Sequence, residues 1–170
     1  EHQILSQTST KLELNDIPFE QDDSKISYST ISYLPHICMM HHSLKEIKLM
    51  NCKLHYLPNT FAKYMKKQLK ILTIQHCELK SISLNEYNEL ERVDLRHNSL
   101  DYIDVTKKNK LRILDVSYNQ ITKFRLEDCP ELQQLSMTHN HLNANGDGDD
   151  DLMVGLSLKF PKLYQLDMEP

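Results

Sequence analysis

The chain repeats one frame, L-x-x-L-x-L-x-x-N-x-L, at a fixed interval. It stands at Leu90, Val93, Leu95, Asn98 and Leu100, then at Leu111, Leu114, Val116, Asn119 and Ile121, then at Leu132, Leu135, Met137, Asn140 and Leu142, with an offset of 21 residues each time. A period in this range means a stack of short units, because no unit of that length can bury its own apolar face. The stack of strands that results is a broad wall, a shape suited to gripping other macromolecules.

Two earlier units carry the same frame, at Leu44, Ile47, Leu49, Cys52, Leu54 and at Leu69, Leu72, Ile74, Cys77, Leu79. The first is 25 residues long. Its extra length, Pro58 to Gln68, fits a short helix on the outer side, with Phe61, Tyr64 and Met65 at helical spacing. The return segments Ile82-x-Leu84, Ile103-x-Val105 and Phe124-x-Leu126 alternate, which predicts extended backbone instead. Upstream, Ile26, Ile31, Leu34 and Pro35 read as a degenerate copy, and Lys11 to Leu14 as a capping strand.

After Leu142 the rhythm breaks at Asn143 to Asp151 and returns at Leu163, Leu166 and Met168. The expected organisation is therefore one solenoid domain over residues 1–170. Residues 1–23 form an N-terminal cap, 24–142 the regular repeats, and 143–170 an irregular acidic insertion with a final repeat. That last repeat has no following coil to cover it, an arrangement that invites homo- or hetero-oligomeric contact. The fold class is α/β, a horseshoe with a concave parallel sheet and a convex side of irregular backbone and short helix.

Within the frame, positions one, four, six and eleven point inward. Asn98, Asn119 and Asn140 lie inside the turn after the strand, where an amide satisfies backbone groups of neighbouring coils. Cys52 and Cys77 replace Asn in the earlier units as small, burial-tolerant groups with a weak donor. They stack within reach of a disulfide, but two buried thiols suit the position better. Cys129, on a return loop before Pro130, is the best placed of the cysteines for an exposed thiol.

The residues between the inward ones face the concave side, and neighbouring coils sit about 4.8 Å apart. His76, His97, Tyr118 and His139 should then form one stripe. With Met50, Gln75, Arg92 and Arg96 they make the candidate partner-binding face, Tyr and Arg being residue types enriched where binding energy concentrates. The stripe also reads as a pH switch, as a transition-metal site, or simply as neutral surface imidazoles. Asp94 and Asp115 beside Arg92 and Arg96 read as a charge ladder.

Charge and composition narrow the function. Net charge is −4 with an isoelectric point near 6.1, so no basic field invites nucleic acid. No apolar run of about 18 residues exists, so no membrane span is expected. No nucleophile, base and orienting group in a known arrangement appears, nor a nucleotide loop, so the chain is expected not to be an enzyme and to need no cofactor. Asp147 and Asp149 are weak metal candidates: with Asn143 as position one, Asn145, Asp147 and Gly148 match a calcium loop, but position twelve is Val154 where a bidentate Glu is needed. His36, Cys38, His41 and His42 have ligand types without the paired short spacings of structural zinc.

On this frame the chain is identified as a member of the leucine-rich repeat proteins over roughly residues 24–170. Ile26-Ser27-Tyr28-Ser29-Thr30-Ile31 with Leu34-Pro35, and the irregular unit from Asn140 through Leu166, are similar to the secreted leucine-rich repeat immune proteins of mosquitoes. That resemblance implies a secreted protein of innate immunity working in disulfide-linked complexes with a complement-like thioester protein. These 170 residues contain no C-terminal cysteine cap, cysteine-rich tail or heptad coiled coil, the parts by which those proteins pair. An intracellular scaffold or regulatory subunit is the alternative.

Overall fold

The computed structural model describes residues 9–16, 38–39, 41–57, 59–142 and 160–168. Seven parallel strands stack in one sheet in the order β1 (Lys11–Asn15), β2 (Glu46–Met50), β3 (Ile71–Gln75), β4 (Arg92–Asp94), β6 (Ile113–Asp115), β8 (Gln134–Ser136) and β9 (Gln165–Asp167). On the opposite side lie α1 (Asn59–Met65) and a two-stranded parallel sheet of β5 (Tyr102–Thr106) and β7 (Lys123–Glu127). The register follows the frame. Leu12, Ile47, Leu72, Val93, Leu114, Leu135 and Leu166 are successive partners across the sheet. All but Leu166 are buried, and with the other frame residues they make one continuous core.

The asparagines hold the coils together. Asn98 accepts at Oδ1 from the N–H groups of Cys77 and Leu79, both at 3.1 Å. Its Nδ2 donates to the carbonyls of Ile74 (2.7 Å) and Leu95 (2.9 Å). Asn119 and Asn140 repeat the pattern one and two coils on, donating back to Leu95 and Val116 and accepting from Leu100 and Ile121. These turns cannot bond to themselves, so each amide satisfies backbone that burial would otherwise strand. Cys52 and Cys77 do the same less completely. Cys77 Sγ donates to the Gln75 carbonyl at 3.0 Å and accepts from Cys52 N–H at 3.4 Å. No disulfide joins any of the four cysteines. The Cys52 thiol beside it, together with burial, pushes the Cys77 thiol pKa up, and burial pushes that of Cys38 up to about 12.

The helix expected between Pro58 and Gln68 is α1, with Phe61 and Met65 buried one turn apart. Phe61 packs on Tyr87 with ring centroids 5.9 Å apart. The return segments divide. Ile103 to Val105 and Phe124 to Leu126 are extended and pair in register, Ile103 with Phe124 and Val105 with Leu126. Ile82 to Leu84 forms no strand. There the backbone turns, Tyr87 N–H donating to the Leu84 carbonyl at 3.1 Å, and brings Tyr87 under the helix.

Cys129 departs from expectation. It is 1% exposed, not a surface thiol. Asp128 before it has positive φ (54°), as Asn51 and His76 have before Cys52 and Cys77, and the thiol likewise turns inward to the carbonyl of Glu127 at 3.3 Å. Lys108 takes the corresponding place after β5: it is 1% exposed, its Nζ donates to the Asn85 carbonyl at 3.0 Å, and burial lowers its pKa. The outer sheet thus has its own row of inward polar groups.

The alternating segment Lys11 to Leu14 is the edge strand β1, bonded directly to β2. The degenerate copy at Ile26, Ile31, Leu34 and Pro35, the zinc candidate His36, and Asp147 and Asp149 of the acidic insertion lie outside the described residues.

Candidate functional site

Strand geometry sends every second side chain outward, so the seven-stranded sheet presents columns of residues. Most polar members of these columns are engaged with each other. At one end, Lys11 pairs with Glu46 at 3.0 Å and Lys48 with Glu13 at 2.9 Å. In the middle, Asp94 is 3% exposed, although it lies on the outward face. It accepts from Gln75 Nε2 at 2.8 Å and from Arg96 through Nε (3.0 Å) and a terminal nitrogen (2.9 Å). Arg96 Nε also reaches Asp115 at 3.4 Å. Burial by itself would raise the Asp94 pKa, but the Arg96 and Gln75 hydrogen bonds outweigh it and hold the carboxyl below its ordinary value. Further along, the hydroxyls of Ser117 and Ser136 share a hydrogen bond of 2.7 Å.

The residues that follow the strands behave differently. Asn51, His76, His97, Tyr118 and His139 all have φ between 52° and 56°. The left-handed region costs a non-glycine residue about 1–2 kcal/mol. Cross-coil bonding offsets that cost: N–H of Asn51 donates to Gln75, of His97 to Ser117 and of Tyr118 to Thr138, at 3.0, 3.2 and 2.9 Å. Because each turn is the same, each side chain leaves at the same angle, and the rings stack. Centroids of His76 and His97, His97 and Tyr118, and Tyr118 and His139 lie 4.3, 4.3 and 4.2 Å apart with interplanar angles of 11°, 17° and 24°. All four are exposed, Tyr118 by 45%. His97 titrates below its ordinary value, through burial first and then the nearby His76 and Arg96.

The eight candidate residues therefore separate into groups. His76, His97, Tyr118 and His139 form the continuous stripe. Gln75 and Arg96 are half-buried and tied to Asp94. Met50 is half-buried at the end of β2, in register with Gln75, and Arg92 is exposed at the start of β4. Sequence reasoning missed Tyr164, the most exposed large apolar residue among the described residues at 69%, whose hydroxyl accepts from Gln134 at 2.9 Å. Its signal was its place one residue before the last strand, where Lys45, Lys70, Glu91, Arg112 and Gln133 stand in the other coils. Among the described residues no three His, Cys, Asp or Glu side chains converge to hold a metal ion, and no helix is long and apolar enough to cross a membrane.

A family model described as leucine rich repeat matches residues 88–142. Among solved structures, a leucine-rich repeat protein of Leptospira interrogans superposes with a TM-score of 0.71 at 19% identity, over 96% of this chain and 38% of that one. The leucine-rich repeat domain of APL1B, a mosquito protein, superposes with a TM-score of 0.58 at 20% identity, over 79% of this chain and 43% of that one. No curated protein matches by sequence. The chain spans about two fifths of the length of these structures, and at such identities the likeness speaks for the fold. With its register, its asparagine turns and the repeats matched at residues 88–142, the chain has the fold of a leucine-rich repeat solenoid.

Proposed function

We propose that the chain is a non-enzymatic recognition module that binds a protein partner through its seven-stranded wall, with the stripe of His76, His97, Tyr118 and His139 at the centre of the contact. One observation carries this. The stripe is an exposed row of stacked rings set on turns that are hydrogen-bonded from coil to coil, and pre-ordered aromatic groups bind with little further loss of entropy. The resemblance to the secreted immune proteins of mosquitoes, supported by the fold shared with the APL1B domain, makes the setting innate immunity outside the cell, in a complex with a complement-like protein.

The test needs the natural partner, identified by mass spectrometry from native fluid and then purified. Tyr118→Ala and His97→Ala are each expected to weaken its binding about tenfold, near the middle of the range for a contact residue of this kind. Lys123→Ala, on the outer sheet, should leave affinity unchanged. The opposite pattern would move the contact to the outer side. Arg96→Glu is no substitute, because it would set a second carboxylate against buried Asp94 and disturb the fold.

A second reading, an intracellular scaffold, is favoured by the absence of a disulfide among four cysteines, since oxidising compartments tend to pair them. Thiol titration of the denatured native protein decides between compartments. Four reactive thiols are expected of the intracellular protein, and fewer would return the chain to the secretory route.

A further inference from the structure

The polar groups on the wall are of two kinds. Those of the strands are largely satisfied within the chain: Lys11 with Glu46, Lys48 with Glu13, Gln75 and Arg96 with Asp94, Ser117 with Ser136, Gln165 with Asp167. The rings of His76, His97, Tyr118 and His139 are not. Among the described residues they make no side-chain hydrogen bond, and their contacts are with each other's faces. Stacking covers ring faces within the row, while all four residues remain exposed. The strands themselves hold no histidine, so the row is where this wall changes charge near neutrality.

We infer that this row docks an acidic segment of a partner protein, and that the docking is gated by acid. The inference rests on the wall being the binding face. Counted with its histidines neutral the chain carries −4, which repels an acidic ligand; with all nine histidines protonated it reaches +5. Three of those charges fall on the row, in line and one or two coils apart.

The surroundings do not cancel them. His97 faces His76 and Arg96, which oppose its charging, and Asp94 and Asp115, which favour it. Both carboxylates are already held by Arg96. On the turn side the corresponding positions are Lys53, Glu78, Ser99, Gln120 and His141, and Glu78 is engaged by His55 at 3.3 Å. On the last coil the nearest strand carboxylate is Asp167, which receives Gln165. Charging His76 and His97 side by side is repulsive, and a carboxylate laid across both relieves it. Binding therefore takes up protons, and affinity rises as pH falls through the imidazole range. Nucleic acid is the poorer fit, because Lys11, Lys48 and Arg96 are already neutralised by carboxylates and so release few counterions.

The probe is a hexaglutamate peptide titrated calorimetrically into the whole chain at about pH 7.5 and about pH 5.5, either side of the imidazole range and above that of the glutamates. Affinity is expected to be at least about tenfold higher at the lower pH, with no binding of hexalysine. The C2 protons of His76, His97 and His139, followed by NMR in the unmodified chain, should titrate at higher pH when hexaglutamate is present. The triple variant His76→Asn, His97→Asn, His139→Asn should lose the gain. Asn already occupies the same backbone conformation at Asn51, and circular dichroism checks the fold. Equal affinity at both pH values, unmoved imidazole titrations, or tighter binding of single-stranded polyuridylate would each overturn the inference. If hexaglutamate fails while Tyr118→Ala still weakens the natural partner, the wall remains the binding face and only its acidic ligand is lost.

Discussion

Asn98→Ala is expected to destabilise the solenoid by about 3–5 kcal/mol, a sum of buried backbone groups left unpaired at about 1–3 kcal/mol each and partly relieved by relaxation. The amide serves two coils at once. It satisfies two N–H groups at 3.1 Å and the carbonyls of Ile74, Leu95 and Arg96. Alanine supplies nothing in return, and the turn is buried too deeply for water to replace what is lost. The measurement is urea unfolding followed by circular dichroism, read as a shift in midpoint with an unchanged slope. Two comparisons sharpen it. Asn98→Cys should cost roughly half as much, because Cys77 shows that a thiol in this position donates to one carbonyl and accepts one N–H group. Asn140→Ala should cost less than Asn98→Ala, since Asn140 is only half-buried. A loss below about 1 kcal/mol for Asn98→Ala, the worth of an ordinary exposed hydrogen bond, would show that the turns do not depend on the amide.

The second large effect lies on the other side of the stack. Phe61→Ala is expected to cost about 3–5 kcal/mol, the usual range for deleting a fully buried aromatic side chain. Phe61 is one of the largest buried side chains, and it joins α1 to Tyr87 in the next coil. A helix of seven residues has no stability of its own and exists because its apolar face is covered. Its loss should therefore be local as well as global. Hydrogen exchange at the amides of Lys66 and Leu69, which donate to Ala62 and Met65 at 3.0 and 2.9 Å, should accelerate far more than at β6. Phe61→Leu should retain most of the stability, because it keeps an apolar group of similar reach. Uniform acceleration across the chain would mean that the helix is not a separate unit.

How much was legible in the chain differs between the two sides of the stack. The wall could be read almost residue by residue. Ile47, Leu72, Val93, Leu114, Leu135 and Leu166 stand in the same place of each frame, and frame and register coincide. The stripe was legible for the same reason: one turn conformation repeated at one spacing leaves its side chains in line. The outer side was read in part. The alternation at Ile103 and Phe124 announced strands, but the same alternation at Ile82 and Leu84 did not become one, because Tyr87 is drawn under Phe61, a contact the local pattern does not contain. Cys129 and Lys108 were misjudged or overlooked as loop residues. Aligning Tyr102 to Lys108 with Lys123 to Cys129 would have placed both after a strand and a left-handed turn, where the wall puts Cys52 and Cys77.

The amino-acid order alone determined the architecture, because a repeated apolar frame can bury itself in one way only, by stacking copies in register. It also determined which residues face outward on the wall. The tertiary structure decided which of those are available. Arg96 and Gln75 looked like anchors and proved to be bound to Asp94, while His76, His97, Tyr118 and His139 keep their polar edges unspent. That distinction depends on hydrogen bonds between neighbouring coils, as from Gln75 to Asp94, and on Arg96 folding back onto Asp94 within its own coil; the rise between coils and the rotation of each side chain set them, and neither is written in the local pattern.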